Sequence, residues 1–381
     1  MRPPRALLCT TSLTASLAAL AGCGVGGDSG ERAADAQPAA GKSAAAERES
    51  NVYAHTKPGM FTPVTRELPF RVYVPNSESN TIDVINPKRK KIVRSFAVHS
   101  LPQHVVPSPD LRTLLVNSNQ GNSLQRIDAK TGRPQGKPMP VEDPYNLYFT
   151  LDGKTAIVMA ERLQRLDFRD AKTMRLEKSV SVPCQGLNHL DFSADGSTFV
   201  ASCEFGSAVI KVDVERRRVV RRLALPRAGG MPQDVKLSSD GKLFYVADMA
   251  SNGLWVIDAD RFRVKRFIPT GLGAHGLYPS RDGRYLYASN RGEGTISVLD
   301  FATGRKKAKW RISGGGSPDM GGVSPDGREL WLSGRYNSEV YVFDTRTGKL
   351  KARIKVGNGP HGMAVWPQPG RVSLGHTGNT R

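Results

Sequence analysis

The sequence predicts an all-β protein, a seven-bladed β-propeller, from two observations: a long internal repeat and strand-like alternation within each copy. Six segments of the 381-residue chain share an aspartate turn followed by an apolar run. Their aspartates are separated by 42, 43, 45, 42 and 44 residues: Asp110, Asp152, Asp195, Asp240, Asp282 and Asp326. Four-stranded repeats of this length are typical of propeller blades, and a closed ring of blades protects the open edges of its sheets.

Each unit reads as four strands, A to D, in chain order. A proline or glycine precedes an apolar strand A, and an Asp-Gly turn, which is a strong hairpin signal, leads to strand B. A loop rich in Gly, Asn and Ser leads to strand C, and a second turn leads to a basic strand D such as "KLKARIKV". The alternation has a period of two, which favours strands over helices.

The seventh blade requires both ends of the propeller. The stretch "RVYVPNSESNTIDVINPKRKKIVRSF" supplies strands B, C and D, whereas "PHGMAVWP" supplies only strand A. We therefore expect one blade to be completed by both segments. The stretch from Arg371 to Gly375 resembles a spare strand B. Two alternatives follow: it replaces Arg71 to Pro75, or it packs across one face.

The segments "YVPNSESNTIDVI", "SPDG" and "PHGMAV" resemble the YVTN-type repeats of YncE-like bacterial surface and periplasmic propellers. The resemblance runs from Phe70 to the end of the sequence and implies the propeller fold. The same broad superfamily includes cytochrome d1-type propellers, which bind haem d1, and lactonase-like propellers. Fold therefore does not select the function here.

Residues 1–22 are predicted to be a lipoprotein signal peptide. Arg2 and Arg5 precede an apolar stretch, and "LAGC" ending at Cys23 resembles a bacterial lipobox. Lipidation of Cys23 would anchor the protein to the cell membrane, outside the cytoplasm. The alternatives are an ordinary secretory signal or a single membrane anchor. Residues 23–60 are predicted to form the lipidated cysteine and a flexible tether, and residues 61–381 the propeller.

The formal net charge of +20 suggests an anionic partner. Because export argues against nucleic acid, we expect anionic lipid head groups, an envelope polymer or a protein partner. Alternatively, the lysines and arginines of strand D only block edge-to-edge pairing. The two cysteines of the body, Cys184 and Cys203, predict a disulfide in an oxidising compartment. Free thiols or a soft-metal pair are the alternatives.

Polar or ionisable residues open the A strands and should gather at one mouth of the central channel. They are His104, Asn146, His189, Asp234, His275, Asp319 and His361. Imidazole suits zinc, copper or iron, so the four histidines are candidate metal ligands. His104 and His189 hold the second position of their opening pairs and His275 and His361 the first, so the four need not form one ring. The alternative is that these side chains bond to turn amides or channel waters.

The B–C loops should lie at the same mouth. They place Glu161 and Glu204 on one side and Arg291 and Arg335 on the other. Such a mouth could orient a polar ligand, although the same residues could also be solvated rim charges.

These observations favour a non-enzymatic binding or scaffold module for a protein, an envelope polymer or a small ligand, without a cofactor. The first alternative is a protein that binds a transition metal or a haem d1-like cofactor at the histidine-rich mouth, for redox chemistry or cofactor maturation. The second is a lactonase-like hydrolase, which would need a divalent metal held by acidic groups. No catalytic residue is assigned, because the sequence has no nucleophile elbow, phosphate-binding glycine loop or dinucleotide fingerprint.

Overall fold

The computed structural model describes residues 51–381. The predicted signal peptide, Cys23 and the tether up to Ser50 lie outside the described residues. The described chain is almost entirely β, with thirty strands, one short helix α1 (Pro63–Arg66) and a 3-10 turn at His376–Gly378. Among residues 51–381, no helix is both long and apolar enough to cross a bilayer.

The strands form seven blades, which confirms the predicted fold. The first three described strands belong to the seventh blade: β1 (Arg71–Asn76), β2 (Thr81–Asn86) and β3 (Lys91–Ala97). Blade 1 follows with β4 (Pro102–Pro107), β5 (Thr113–Ser118), β6 (Ser123–Asp128) and β7 (Arg133–Pro140). Blade 2 contains β8 (Asn146–Phe149), β9 (Thr155–Ala160), β10 (Arg165–Asp170) and β11 (Leu176–Ser181). Blade 3 contains β12 (Leu187–Phe192), β13 (Thr198–Cys203), β14 (Ala208–Asp213) and β15 (Arg218–Ala224).

The remaining blades repeat this order. Blade 4 contains β16 (Pro232–Leu237), β17 (Leu243–Asp248), β18 (Gly253–Asp258) and β19 (Arg263–Pro269). Blade 5 contains β20 (Ala274–Pro279), β21 (Tyr285–Asn290), β22 (Thr295–Asp300) and β23 (Lys306–Arg311). Blade 6 contains β24 (Pro318–Val323), β25 (Glu329–Gly334), β26 (Glu339–Asp344) and β27 (Leu350–Lys355). The last strands are β28 (Ala364–Trp366), β29 (Ser373–Gly375) and β30 (Asn379–Thr380).

Blade 7 is closed by both segments, as the sequence predicts. β28 is its strand A and pairs with β1, where Tyr73 is opposite Ala364. Residues 71–76 therefore supply strand B. The spare stretch instead forms β29, which adds to the inner edge of blade 2 with Gly375 opposite Tyr148. The stretch therefore does not replace residues 71–75, and it pairs with a strand edge rather than packing across a face.

The repeated aspartate holds the A–B turn of each of the first six blades. In blade 4, Asp240 accepts hydrogen bonds from the Ser238 hydroxyl at 2.6 Å and from the Lys242 amide at 3.1 Å. The next residue, Gly241, has a positive φ of 72°, which glycine adopts without steric cost. This local chemistry explains why the turn recurs so regularly in the sequence.

The apolar core is divided among the blade interfaces. Seven buried clusters occur, one between each pair of neighbouring blades. The A strands are almost wholly buried, whereas D strands such as β15 and β23 are largely exposed. Each blade is thus stabilised by its neighbours, and the innermost side chains are held in fixed positions around the channel.

The two ends of the channel differ, and we name them by the loops they carry. The mouth face carries the starts of the A strands and the B–C loops, and the turn face carries the Asp-Gly turns. Residues 51–60, which the sequence assigned to the tether, pack on the turn face. Tyr53 is buried and donates to the Leu237 carbonyl at 2.8 Å, and Val52 packs against the cores of blades 3 to 5. Residues 51–60 therefore belong to the folded body and not to the predicted tether, because their apolar side chains pack against the core.

Candidate functional site

A polar pocket of about 280 Å³ opens at the mouth face. Six of the residues that we selected from the sequence line it: Glu161, Glu204, His275, Arg291, Arg335 and His361. The other five lie deeper and do not line the pocket: His104, Asn146, His189, Asp234 and Asp319. The strand register explains this division, because successive residues at the start of an A strand face different surroundings.

The acidic side of the pocket is formed by blades 2 and 3. Glu161 is partly buried next to Glu204 and Asp143, and burial together with these negative charges raises the pKa of Glu161 to about 7. Glu204 accepts a hydrogen bond from the Asn188 amide at 2.6 Å, which fixes its carboxylate at the pocket wall. A cationic group placed between the two glutamates would therefore reduce the repulsion between their negative charges.

The basic side is formed by blades 5 and 6. Arg291 is already paired, since its Nη2 lies 2.6 Å from Asp319 Oδ1 at the floor of the pocket. Arg335 differs, because its buried Nη1 has no hydrogen-bond partner among the described residues. Tyr336 extends the same side into solvent with 71% of its surface exposed. Arg335 is thus the guanidinium that is available to an anionic group.

Five buried imidazoles occupy the channel beneath the mouth. Their ring centroids are 4.7 to 6.3 Å apart between neighbours. They belong to His104, His189, His275, His361 and His376. Burial lowers the pKa of His104 to about 3 and lowers the pKa of the other four imidazoles as well. The rings are therefore neutral at pH 7.

The imidazoles divide into two groups. In the upper group, His275 Nδ1 lies 2.9 Å and His361 Nε2 3.6 Å from the Asp319 carboxylate. Although burial alone would raise it, the pKa of Asp319 is held well below its usual range by Arg291 and these imidazoles. In the deeper group, one ring nitrogen from each of His104, His189 and His376 lies within 4.8 Å of the others.

His376 reaches the channel on the tail of the chain, residues 367–381. Here β29 and β30 form a small hairpin whose tip is the turn His376–Gly378. Arg381 binds Asp191 at 3.0 Å, and the buried Arg281 donates to Gln368 at 2.6 Å, so the hairpin is fastened on the turn face. The tail therefore fills the channel from the side opposite the mouth.

Asp234 has a structural role in the ring. Its Oδ2 accepts the Leu277 amide of blade 5 at 2.9 Å, and Asp191 accepts the Leu237 amide of blade 4 at 2.8 Å. Tyr148 and Tyr278 make the same type of bond to the next blade. Burial raises the pKa of Asp234 to about 6. These polar side chains thus join neighbouring A strands. The sequence-based alternative expected them to bond to turn amides, whereas Asp234 bonds to an amide within the next A strand.

The sequence did not single out His376 as a ligand or Tyr148 as an inter-blade acceptor. His376 follows the last repeat, so no alignment of repeats assigns it a position. Asn146, which was selected, lies beside it with its amide 3.0 Å from His376 Nδ1. A histidine after a degenerate final repeat was the only available signal.

The two cysteines of the body lie at one end of the β12–β13 hairpin. The structure joins Cys184 and Cys203 by a disulfide with a Cα–Cα distance of 4.9 Å. Antiparallel pairing places Leu187 opposite Cys203, which brings the segment before strand A next to the end of strand B.

Comparisons with known proteins agree with this architecture. A family model described as YNCE-like β-propeller matches residues 60–369. The chain belongs to the YNCE-like β-propeller family. The suspected relationship to YncE-like propellers is thereby confirmed. No curated protein matches the sequence.

Several solved structures share the propeller fold of this YNCE-like chain. Hydrazine synthase of Kuenenia stuttgartiensis is 20% identical, with a TM-score of 0.63 over 74% of this chain and 98% of that chain. The periplasmic gluconolactonase PpgL of Pseudomonas aeruginosa is 19% identical, with a TM-score of 0.65 over 79% and 99%. Dihydro-heme d1 dehydrogenase NirN, in complex with DHE, is 17% identical, with a TM-score of 0.60 over 82% and 79%. At these identities the likeness concerns the fold alone.

Proposed function

We propose that this YNCE-like propeller is a non-enzymatic binding protein for a zwitterionic ligand of the size of an amino acid or a short peptide. The observation that carries the proposal is the polarity of the mouth pocket, with Glu161 and Glu204 on one side and Arg335 on the other. Its volume of about 280 Å³ lies just below the usual range for drug-sized ligands, roughly 300–1,000 Å³.

Each side of the pocket carries a charged group that a ligand group of opposite charge would stabilise. The raised pKa of Glu161 reflects repulsion from Glu204 and Asp143 in addition to burial, and an ammonium group would relieve that repulsion. Arg335 has a buried nitrogen without a partner within residues 51–381, and a carboxylate would accept its hydrogen bond. One ligand that carries both groups would satisfy both sides.

The rim of the mouth face offers apolar contacts to a ligand longer than the pocket. Phe205 and Tyr336 are 60% and 71% exposed in the B–C loops of blades 3 and 6, and Leu163 and Leu272 are exposed on the same face. Exposed aromatic side chains around a polar pocket are typical of surfaces that bind peptides or proteins. The rim therefore favours a peptide, or the end of a protein chain, over a free amino acid.

We further propose that the protein is lipid-anchored at Cys23, outside the cytoplasm. The lipobox-like sequence motivates the anchor, and the Cys184–Cys203 disulfide is compatible with an oxidising compartment. Metabolic labelling with a radioactive fatty acid tests the anchor. The wild-type chain should be labelled and recovered with membranes, and Cys23→Ala should be neither. An unlabelled wild-type chain would contradict the anchor.

The alternatives from the sequence have less support. A haem d1-type macrocycle does not fit, because the nitrogens of the deeper imidazoles face one another within 4.8 Å and the tail fills the channel beside them. The lactonase-like alternative needs carboxylates free to hold a divalent ion. In the described channel, Asp319 is bound by Arg291, and Asp234 accepts two backbone amides.

The proposed ligand class can be tested with trialanine and two blocked forms. Calorimetry on the full chain in detergent should show binding of trialanine with free termini. The N-acetylated and the C-amidated peptides each lack one charge and should bind at least about tenfold more weakly, a loss of roughly 1.4 kcal/mol.

Two variants assign the two ends of the peptide. Glu161→Gln should no longer distinguish free from acetylated trialanine, and Arg335→Gln should no longer distinguish free from amidated trialanine. Lys306→Gln, on the exposed strand β23, is the matched control and should bind as the wild type does. Equal binding of all three peptides, or no binding of any, would overturn the proposal.

A further inference from the structure

We propose that His104, His189 and His376 together hold one transition-metal ion of the zinc class, and that the tail of the chain supplies the third ligand. The three side chains come from blade 1, blade 3 and the tail, and all are buried. One ring nitrogen from each lies within 4.8 Å of the others. Small side-chain shifts would bring these nitrogens to the roughly 2.0–2.1 Å that separates zinc from imidazole nitrogen.

The hydrogen bond of His104 fixes which of its nitrogens is free. Its Nδ1 lies 2.8 Å from the Tyr145 carbonyl, and because a carbonyl only accepts, Nδ1 carries the proton. The lone pair is then on Nε2, which is buried and has no partner in the described chain. A metal-binding histidine usually donates its other N–H to a carbonyl or carboxylate in this way.

His189 provides a second unexplained pair of polar atoms. Both of its ring nitrogens are buried, and neither has a hydrogen-bond partner among the described residues. Leaving a buried polar group unsatisfied is unfavourable, so such a group usually has a ligand or a water as its partner. Its ring centroid lies 5.4 Å from that of His104 and 4.7 Å from that of His376. A single ion between the three rings would satisfy them together.

The tail presents His376 on a strained turn. His376 has a φ of 31° and Thr377 a φ of 23°, a left-handed region that residues other than glycine seldom adopt. Strained residues of this kind cluster at ligand-binding sites, where the surroundings hold them in place. Among the described residues, Nε2 of His376 has no hydrogen-bond partner and lies 3.8 Å from Asp234 Oδ1. Its Nδ1 lies 3.0 Å from the Asn146 side-chain amide, so Nε2 can bind an ion when that amide turns its oxygen toward Nδ1 and accepts the ring N–H. The Asp234 carboxylate, whose oxygens accept two backbone amides, would lie close to the ion without binding it, and its negative charge would favour the ion.

The donor set selects the class of metal. Three imidazoles suit zinc, copper, nickel or iron, whereas magnesium and calcium require oxygen ligands. The upper group of His275, Asp319 and His361 is a poorer site, because Arg291 already supplies a positive charge 2.6 Å from Asp319. We therefore assign the ion to the deeper group.

An ion at this position would couple the tail to the ring. His376 lies at the tip of the hairpin formed by β29 and β30, whereas His104 and His189 belong to the strands A of blades 1 and 3. Binding of the ion should therefore protect the amides of residues 373–380 from hydrogen exchange. Protection of these amides would distinguish an ion bound by the tail from an ion bound elsewhere on the protein.

The test is a Zn²⁺ titration of the metal-stripped full chain by calorimetry, followed by the visible absorption of Co²⁺ as a report on imidazole coordination. The wild type should bind one Zn²⁺ in the channel. His376→Gln keeps much of the side-chain volume and removes the ligand. It should weaken Zn²⁺ binding by more than the roughly 10–100-fold typical of losing a group that only hydrogen-bonds to a ligand. His104→Ala and His189→Ala should do the same.

His55→Ala is the matched control, because His55 lies in the segment on the turn face, outside the channel. It should bind Zn²⁺ as the wild type does and show the same protection of residues 373–380. The proposal is overturned if the wild type binds no stoichiometric Zn²⁺, or if His376→Gln binds Zn²⁺ with unchanged affinity. Peptide binding at the mouth is measured separately, so either proposal can fail without the other.

Discussion

Glu161 shows how a single residue couples the mouth pocket to pH. Its pKa rises from an ordinary value of 4.5 to about 7 because of burial and the nearby Glu204 and Asp143. Between these pH values the folded protein holds a proton that the unfolded chain releases. The free energy of unfolding therefore falls as the pH rises from about 4.5 to 7, and the contribution of this group is lost above pH 7.

Replacing Glu161 by glutamine should remove this pH dependence. At pH 8 we expect Glu161→Gln to be more stable than the wild type by about 1–2 kcal/mol, a value reduced from the full shift because the side chain borders solvent. At pH 4.5 the two should be equal. Urea unfolding at both pH values measures the difference, with Glu215→Gln on an exposed turn as control. Parallel stability curves for Glu161→Gln and the wild type would contradict the prediction.

Tyr278 tests the bonds between neighbouring A strands. Its buried hydroxyl accepts the Gly321 amide at 2.8 Å, and Tyr278→Phe leaves that amide without its acceptor. We expect a loss of about 1–3 kcal/mol in the free energy of unfolding. Tyr285→Phe, at a partly exposed position of β21, should change the stability by less than about 0.5 kcal/mol. The prediction fails if the two variants unfold at the same urea concentration.

At the scale of the element, the β12–β13 hairpin is held by its disulfide. Cys184 and Cys203 are 19 residues apart. Closing a loop of about that length reduces the conformational entropy of the unfolded chain and so stabilises the folded protein by about 3 kcal/mol. The double variant Cys184→Ala/Cys203→Ala should lose about that amount in urea unfolding. A reducing agent should destabilise the wild type similarly and leave the double variant unchanged. Sensitivity of the double variant to the reductant would show that the effect does not come from this bond.

The elements differ in how much the sequence says about them. The hairpins of blades 1 to 6 could be predicted because the turn at Asp240 and its equivalents is encoded locally, in a serine or threonine, an aspartate and a residue with positive φ. The placement of β29 could not, because a three-residue strand with one large apolar side chain pairs with whichever edge the tertiary fold leaves open. The inner edge of β8 is that edge, and only the closed ring defines it.

Part of the candidate site could likewise be predicted from the sequence, and part could not. The repeat aligned Glu161, Glu204 and Arg335, so their meeting at one mouth followed from the ring. The four selected histidines are neighbours in the channel, but only His275 and His361 line the pocket. The grouping of His104 and His189 with His376 depends on the path of the tail, which has no counterpart in the other repeats.

At the scale of the whole molecule, the charge of +20 is distributed over exposed outer strands such as β15, β23 and β27. We expect the non-lipidated Cys23→Ala chain to sediment with vesicles that contain anionic lipid and not with neutral phosphatidylcholine vesicles. Because the attraction is screened by ions, 0.5 M salt should release it. The variant Lys91→Glu/Lys306→Glu should bind more weakly. Equal sedimentation with neutral vesicles would contradict an electrostatic association.

The packing of residues 51–60 fixes the face on which the described chain enters the ring. Val52 donates its amide to the Ser239 carbonyl in an Asp-Gly turn, so the chain enters the ring on the turn face. Asn51 and the pocket with its aromatic rim therefore lie at opposite faces of the ring. A ligand that enters the pocket consequently does not have to displace residues 51–60.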